Sequence, residues 1–165
     1  MKSYYLLILM AIIAGSCKDK DGNIEMEAIV AGQQIPIYAK LTTLFGSIPS
    51  NDSLSVLILP IDITCPSCRK KILVGFMKHK DHLKTNHYII IAGNGGKKHI
   101  DGYFQEHKLR LPTGIKRLAL DTIGLMKNNA LFDDEPVIYY GTNQKITAKS
   151  RVYPDNVKQQ LQSFF

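Results

Sequence analysis

The sequence predicts an α/β domain of three layers, a central mixed sheet with helices on both faces. Two observations carry that expectation. Apolar runs at 54–61, 87–92 and 118–121 are separated by segments with helical spacing, and such crossovers demand parallel strands. Later, the strand-like runs 137–140 and 146–149 flank Gly141-Thr142-Asn143-Gln144, a hairpin that adds antiparallel strands. At 165 residues the chain is one such domain plus a short leader.

The leader comes first. Lys2 is a short basic region, and residues 4–13 form an apolar stretch of signal-peptide length, too short to span a bilayer comfortably. Ala14-Gly15-Ser16-Cys17 follows. It resembles the bacterial lipobox, which implies cleavage before Cys17, a lipid on Cys17 and attachment to a membrane. A plain secretory peptide cut after Ser16 is the alternative. Residues 1–16 are thus read as a lipoprotein signal peptide and 17–23 as a charged, lipidated tether. By resemblance to enteric lipoproteins, Lys18 in place of aspartate implies release from the inner membrane. The expected location is the bacterial envelope, on the outer membrane facing the periplasm or on the cell surface.

Residues 24–53 carry the weakest pattern and form an N-terminal extension without assigned structure. The stretch 35–41 alternates like an edge strand, where Pro36 is tolerable. Residues 24–29 fit strand or helix, and 46–53 is a loop by composition. The recognisable domain covers 54–165. Its first run has no polar residue after Ser55, as in a central strand covered on both faces.

Thr64 is placed to cap the next helix, and Pro66 suits its first turn. Cys68, Ile72 and Phe76 recur on one helical face. Gly75 costs this helix about 1 kcal/mol of propensity; it is either an ordinary concession or a point of close packing against the sheet. Gly93-Asn94-Gly95-Gly96 is a turn without the lysine and spacing of a phosphate-binding loop. Ile100, Tyr103, Phe104 and His107 mark a short helix, and Val157, Leu161 and Phe164/Phe165 line one side of a terminal one.

The formal charge of +7 comes from dispersed residues such as Lys78, Lys97, Lys98 and Arg117. With no arginine-rich run and no basic–aromatic interleaving, nucleic acid is not an expected partner. No cofactor is expected, because neither a dinucleotide fingerprint nor a hydrolase constellation can be identified.

The chemistry centres on Cys65-Pro66-Ser67-Cys68. The chain has three cysteines. With a lipid on Cys17, the remaining two are this pair, in a compartment where disulfides persist. Closing so short a loop removes little denatured-state entropy, which weighs against a purely structural disulfide. A metal site is the rival reading: Cys65, Cys68, His79 and His82 have the spacing C-x2-C-x10-H-x2-H. A regular helix from Cys65, rising about 1.5 Å per residue, would carry His79 roughly 20 Å away, so no metal site is assigned. Copper held by the thiols alone is a further alternative. His99 and His107 read as surface residues.

The element order, with Cys-Pro-Ser-Cys behind the first central strand, resembles the thioredoxin superfamily. Pro136, just before the late hairpin, matches the place of the family's cis-proline. The long interval from Cys65 to Pro136 is similar to the TlpA-like exported branch. The resemblance implies a thioredoxin-like fold over 54–165 and thiol–disulfide oxidoreductase activity. It implies a redox disulfide Cys65–Cys68, with Cys65 attacking and Cys68 resolving, and client thiols or disulfides of envelope proteins. Reduction, fed by a membrane electron donor, is the implied direction.

Pro66 would stiffen the loop, and Pro136, if cis, would leave a strand edge open for client backbone. Three departures accompany the match: Thr64 stands for the family's tryptophan, Leu59 for a buried acid and Lys71 for a glutamate. Asp62 and Glu135 are the candidate replacements for the missing proton carrier; solvated loop carboxylates are the plain alternative. A non-catalytic lipoprotein that keeps the fold as a binding module is the other class of function.

Overall fold

The computed structural model describes residues 24–48, 52–62 and 66–165. The calls on the signal peptide, Cys17, the tether, Thr64 and Cys65 lie outside them. Six strands form one sheet: β1 (Glu27–Ala28), β2 (Leu54–Pro60), β3 (His87–Ala92), β4 (Leu118–Asp121), β5 (Val137–Thr142) and β6 (Lys145–Arg151). Their spatial order is β1-β6-β5-β2-β3-β4.

The helices are α1 (Gln34–Thr42), α2 (Pro66–His79), α3 (Gly96–Glu106), α4 (Leu125–Asn128) and α5 (Val157–Phe164). Because α2 and α3 carry the chain back across the sheet, β2–β3 and β3–β4 pair in parallel. The hairpin β5–β6 is antiparallel, and β5 joins β2 antiparallel, Leu57 opposite Ile138. This is the mixed three-layer α/β arrangement expected from the sequence, thioredoxin-like in its order of βαβ and then ββα.

β2 is buried at every position, because the pleat sends alternate side chains into two cores. Leu57, Leu59 and Ile61 meet Ile72, Leu73 and Phe76 of α2, Ile100 and Phe104 of α3, and Phe164 of α5. Val56 and Ile58 meet Leu41 of α1 and Met126 of α4 on the other face. A continuous apolar run is what such a double burial requires.

Three details differ from the sequence expectation. Residues 35–41 lie in helix α1, not an edge strand. Ile37, Tyr38, Leu41, Leu44 and Phe45 all pack on the second core, a helical spacing that runs alongside the local alternation, and Pro36 is tolerated because it falls in the first turn. Gly75 is a point of close packing, but against α5 rather than the sheet: an added Cβ would sit 2.9 Å from Leu161 Cδ1. The hairpin turn is tighter than four residues. Thr142 pairs with Lys145, and Asn143 and Gln144 take positive φ of 49° and 59°, as a two-residue primed turn needs. In the N-terminal segment, β1 pairs with β6 and α1 joins the second core.

Candidate active site

The site lies at the carboxyl ends of the parallel strands β2 and β3, where α/β sheets open a crevice. β2 delivers Ile61 and Asp62 to this edge, and α2 starts there at Pro66. Pro66 and Ser67 are exposed, whereas Cys68 is only 1% exposed. Ile72 and Phe76, one and two turns on, share its buried face, so the apolar stripe of α2 turns Cys68 inward. Cys68 is disulfide-bonded; the other two cysteines, Cys17 and Cys65, lie outside the described residues.

Arg69 is partly buried. Its Nη1 donates to the Ile61 carbonyl oxygen, and its guanidinium carbon lies 5.4 Å from the centre of the Tyr103 ring. It therefore ties α2 to the end of β2 and to α3. Burial pushes the Tyr103 phenol above its ordinary range; the Arg69 charge opposes this and Glu106 adds to it. Lys70 and Lys71 are exposed.

Asp62 has specific partners. Its Oδ2 accepts the Asn94 backbone N–H at 2.9 Å, and its Oδ1 lies 2.5 Å from His99 Nε2. Partial burial raises the carboxyl's proton affinity, but the bonds from Asn94 and His99 outweigh it and hold the group below the usual carboxylate range. A cleft of about 620 Å³ opens here, lined by Asp62, Pro66, Arg69, Lys98, His99 and His107 among others. His107 Nδ1 is 2.9 Å from the Tyr103 carbonyl oxygen.

The structure thus brings Asp62 and Pro66 together in one cleft beside the helix that carries Cys68. It also brings in His99 and His107, read from sequence as surface residues. The missed signal was topological: the turn 93–96 at the end of β3 sets the first turn of α3 against the end of β2. Pairing β2 and β3 in parallel register, with Pro60 opposite Ala92, makes that meeting necessary.

Glu135 and Pro136 do not line this cleft. Glu135 Oε2 faces Arg151 Nη1 at 3.9 Å. Pro136 is buried, and its carbonyl oxygen accepts the Val152 N–H at 2.8 Å. No cis peptide bond occurs among the described residues, so the Glu135–Pro136 bond is trans. This corrects the cis-proline that the family resemblance implied. The β5–β6 hairpin itself holds Pro136 through the bond to Val152.

His79 stacks on Phe165 with ring centres 5.4 Å apart, and His82 is exposed. Among the described residues no group of three or more His, Cys, Asp or Glu side chains is placed to hold a metal ion. No helix among them is long and apolar enough to cross a membrane.

No family model matches the sequence, and no curated protein matches it. Among solved structures the chain is similar to StoA from Bacillus subtilis, with 15% identity, 69% of this chain and 83% of that chain covered, and a TM-score of 0.44. It is also similar to a thiol peroxidase from Chromobacterium violaceum, with 13% identity, 69% and 72% covered, and a TM-score of 0.39.

Proposed function

We propose that this protein is a thiol–disulfide oxidoreductase that exchanges disulfides with exported proteins through Cys65 and Cys68. The observation that carries the reading is Cys68: a buried, disulfide-bonded cysteine in the first turns of α2, directly behind the central strand β2. With Cys17 assigned to lipid, its partner is Cys65, three residues upstream. A cysteine at the start of a helix is favoured as thiolate by unpaired N–H groups and the helix dipole. Cys65 is then the attacking thiol, and the burial of Cys68 suits a resolving thiol, shielded from outside disulfides and released only onto the mixed disulfide.

The lipobox supports an envelope location with Cys17 as the anchor. Reduction of client disulfides, with electrons from a membrane donor, is the working direction. Pro66, exposed and lining the cleft, is the proline we assign to client contact, and Glu135, beside the start of β5, is kept as a second client-contacting candidate; the buried Pro136 is not.

Trapping tests this. Cys68→Ser, expressed in the full chain, should accumulate mixed disulfides with envelope proteins on non-reducing gels, and Cys65→Ser should accumulate none. Equal trapping by both variants, or by neither, would sink the assignment.

A further inference from the structure

The chain's net charge is gathered on one helical layer. Segments 66–87 and 157–165 hold seven Lys and Arg residues against one acid, Asp81, and so carry +6 of the formal +7. They build α2, α5 and the turn between α2 and β3. Elsewhere on the surface Lys97 meets Asp101 at 2.7 Å and Lys149 meets Glu27 at 3.2 Å. Lys70, Lys71, Lys78 and Lys158, by contrast, are exposed and have no ion-pair partner among the described residues.

On α2 the outward positions Lys70, Val74 and Lys78 follow one another at helical spacing. Val74, 52% exposed, is an apolar side chain with a lysine one turn away on either side. Between α2 and α5 runs a groove of about 380 Å³, lined by Gly75, His79, Lys158, Leu161, Gln162 and Phe165. Unpaired lysines around exposed apolar surface fit an anionic bilayer. Lysine is a compact charge on a flexible stem, suited to fluid headgroups, whereas fixed carboxylates on a protein favour the arginine fork. Lysine stems can lie along apolar surface while their ammonium groups reach phosphates. The chain also enters the fold next to α5: β1 pairs with β6, and α5 packs over β6 through Gln160 Nε2 and Ser150 Oγ at 2.5 Å. From Cys17 to Ile24 the chain can span at most roughly 25 Å, so an anchor on Cys17 would keep this face within reach of its own bilayer.

We propose that the α2–α5 face lies on the anionic phospholipid surface of the membrane that holds the chain, with Lys70, Lys71, Lys78 and Lys158 at the phosphates and Val74 at the headgroup boundary. This rests on the reading of Cys17 as the lipid anchor. Each lysine near such a surface strengthens docking by about fivefold, and salt weakens it. Docked in this way, α2 runs along the bilayer, which brings its start and the cleft beside Pro66 level with membrane-held partners.

Lysine footprinting tests this. The full chain, extracted from bacterial membranes with its anchor, is inserted into preformed vesicles of phosphatidylcholine alone or of phosphatidylcholine and phosphatidylglycerol in equal parts, then acetylated briefly at low reagent. Mass spectrometry should find Lys70, Lys71, Lys78 and Lys158 labelled several-fold more slowly on the anionic vesicles, with Lys98, Lys116 and Lys145 unchanged. Molar salt should abolish the difference. In Lys71→Glu/Lys158→Glu, Lys70 and Lys78 should return to the rate seen on phosphatidylcholine. Equal labelling on the two kinds of vesicle, or a slowing shared by Lys98, Lys116 and Lys145, overturns the docking face and leaves the anchor standing. Greater slowing by soluble polyglutamate than by the anionic vesicles assigns the face to an acidic protein and overturns the lipid partner. A chain that does not float with phosphatidylcholine vesicles lacks the anchor, which overturns that reading and the docking face with it; trapping by Cys68→Ser tests the dithiol separately.

Discussion

The buried Asp121 carboxylate, at the end of β4, accepts the backbone N–H of Met126 at 2.7 Å through Oδ2, while its Oδ1 accepts that of Leu125 at 2.8 Å. The first two N–H groups of α4 have no intrahelical partner, and this one side chain satisfies both. Met126 is thereby seated in the second core beside Ile58 and Ile90. Asp121→Ala should cost about 2–3 kcal/mol, since removing the acceptor strands buried donors. Asp121→Asn keeps one acceptor oxygen and should cost roughly half as much. Urea denaturation measures both, and equal, near-zero losses would show that α4 finds its bonds elsewhere.

Gly75 and Leu161 are coupled across the α2–α5 contact, where an added Cβ would approach Leu161 Cδ1 to 2.9 Å. Gly75→Val should therefore destabilise by about 1–3 kcal/mol through overpacking. Shortening Leu161 opens the space. In a Leu161→Ala background, Gly75→Ala should stabilise by up to about 1 kcal/mol, its gain in helix propensity. A double-mutant cycle read by denaturation gives the coupling; additive effects would mean that the two helices do not meet through these residues.

How much of this was legible in the sequence follows from the physics of each part. β2 and β3 announced themselves because strands covered on both faces must be apolar throughout, as residues 56–59 and 88–91 are. The buried face of α2 was visible as Cys68, Ile72 and Phe76. Helix α1 was misread because Ile35, Ile37, Ala39 and Leu41 fit a two-residue period as well as Ile37, Tyr38, Leu41 and Phe45 fit a helical one. Only the tertiary contact of Leu41 with the second core decides between them. The cap at Asp121 was readable as an aspartate shortly before a helix but was passed over as the end of a strand. The Asp62–His99 pair was illegible, because 37 residues separate its members and nothing local joins them. The pair exists because β2 and β3 end side by side.

Tyr139 sets an alkaline limit on stability. Its hydroxyl donates to the Leu131 carbonyl at 2.7 Å inside the second core. Burial, with the charges of Asp133 and Glu27 adding, pushes the phenol up to about 12. An unfolded tyrosine ionises near 10, so above that pH the unfolded chain sheds a proton that the folded chain keeps. Stability should fall as pH rises from about 10 towards 12, by roughly 3 kcal/mol in all for this group. Tyr139→Phe should cost about 1 kcal/mol at neutral pH for the lost bond and should flatten the alkaline decline. Denaturant titrations of both proteins at a series of pH values check this.

His87 sets the acid limit. At the start of β3, its Nδ1 lies 2.5 Å from the Phe164 carbonyl oxygen, and its ring is 4.8 Å from that of Phe164, so it anchors the end of α5. Burial holds the imidazole below the ordinary histidine range; the Phe164 bond partly opposes this, and the charges of Lys84 and Arg117 reinforce it. A depressed folded value means that the unfolded chain takes up a proton first as pH falls. Stability should therefore be full above the ordinary histidine pKa of about 6.5 and should decline below it, towards the folded value. Other groups titrate in the same window, so the informative quantity is the difference between wild type and His87→Gln. The variant should be less stable at neutral pH, where the Phe164 contact is lost, and should show a shallower decline from neutral to mildly acidic pH. If both proteins lose stability in parallel, His87 is not the acid-sensitive joint between β3 and the C-terminal helix.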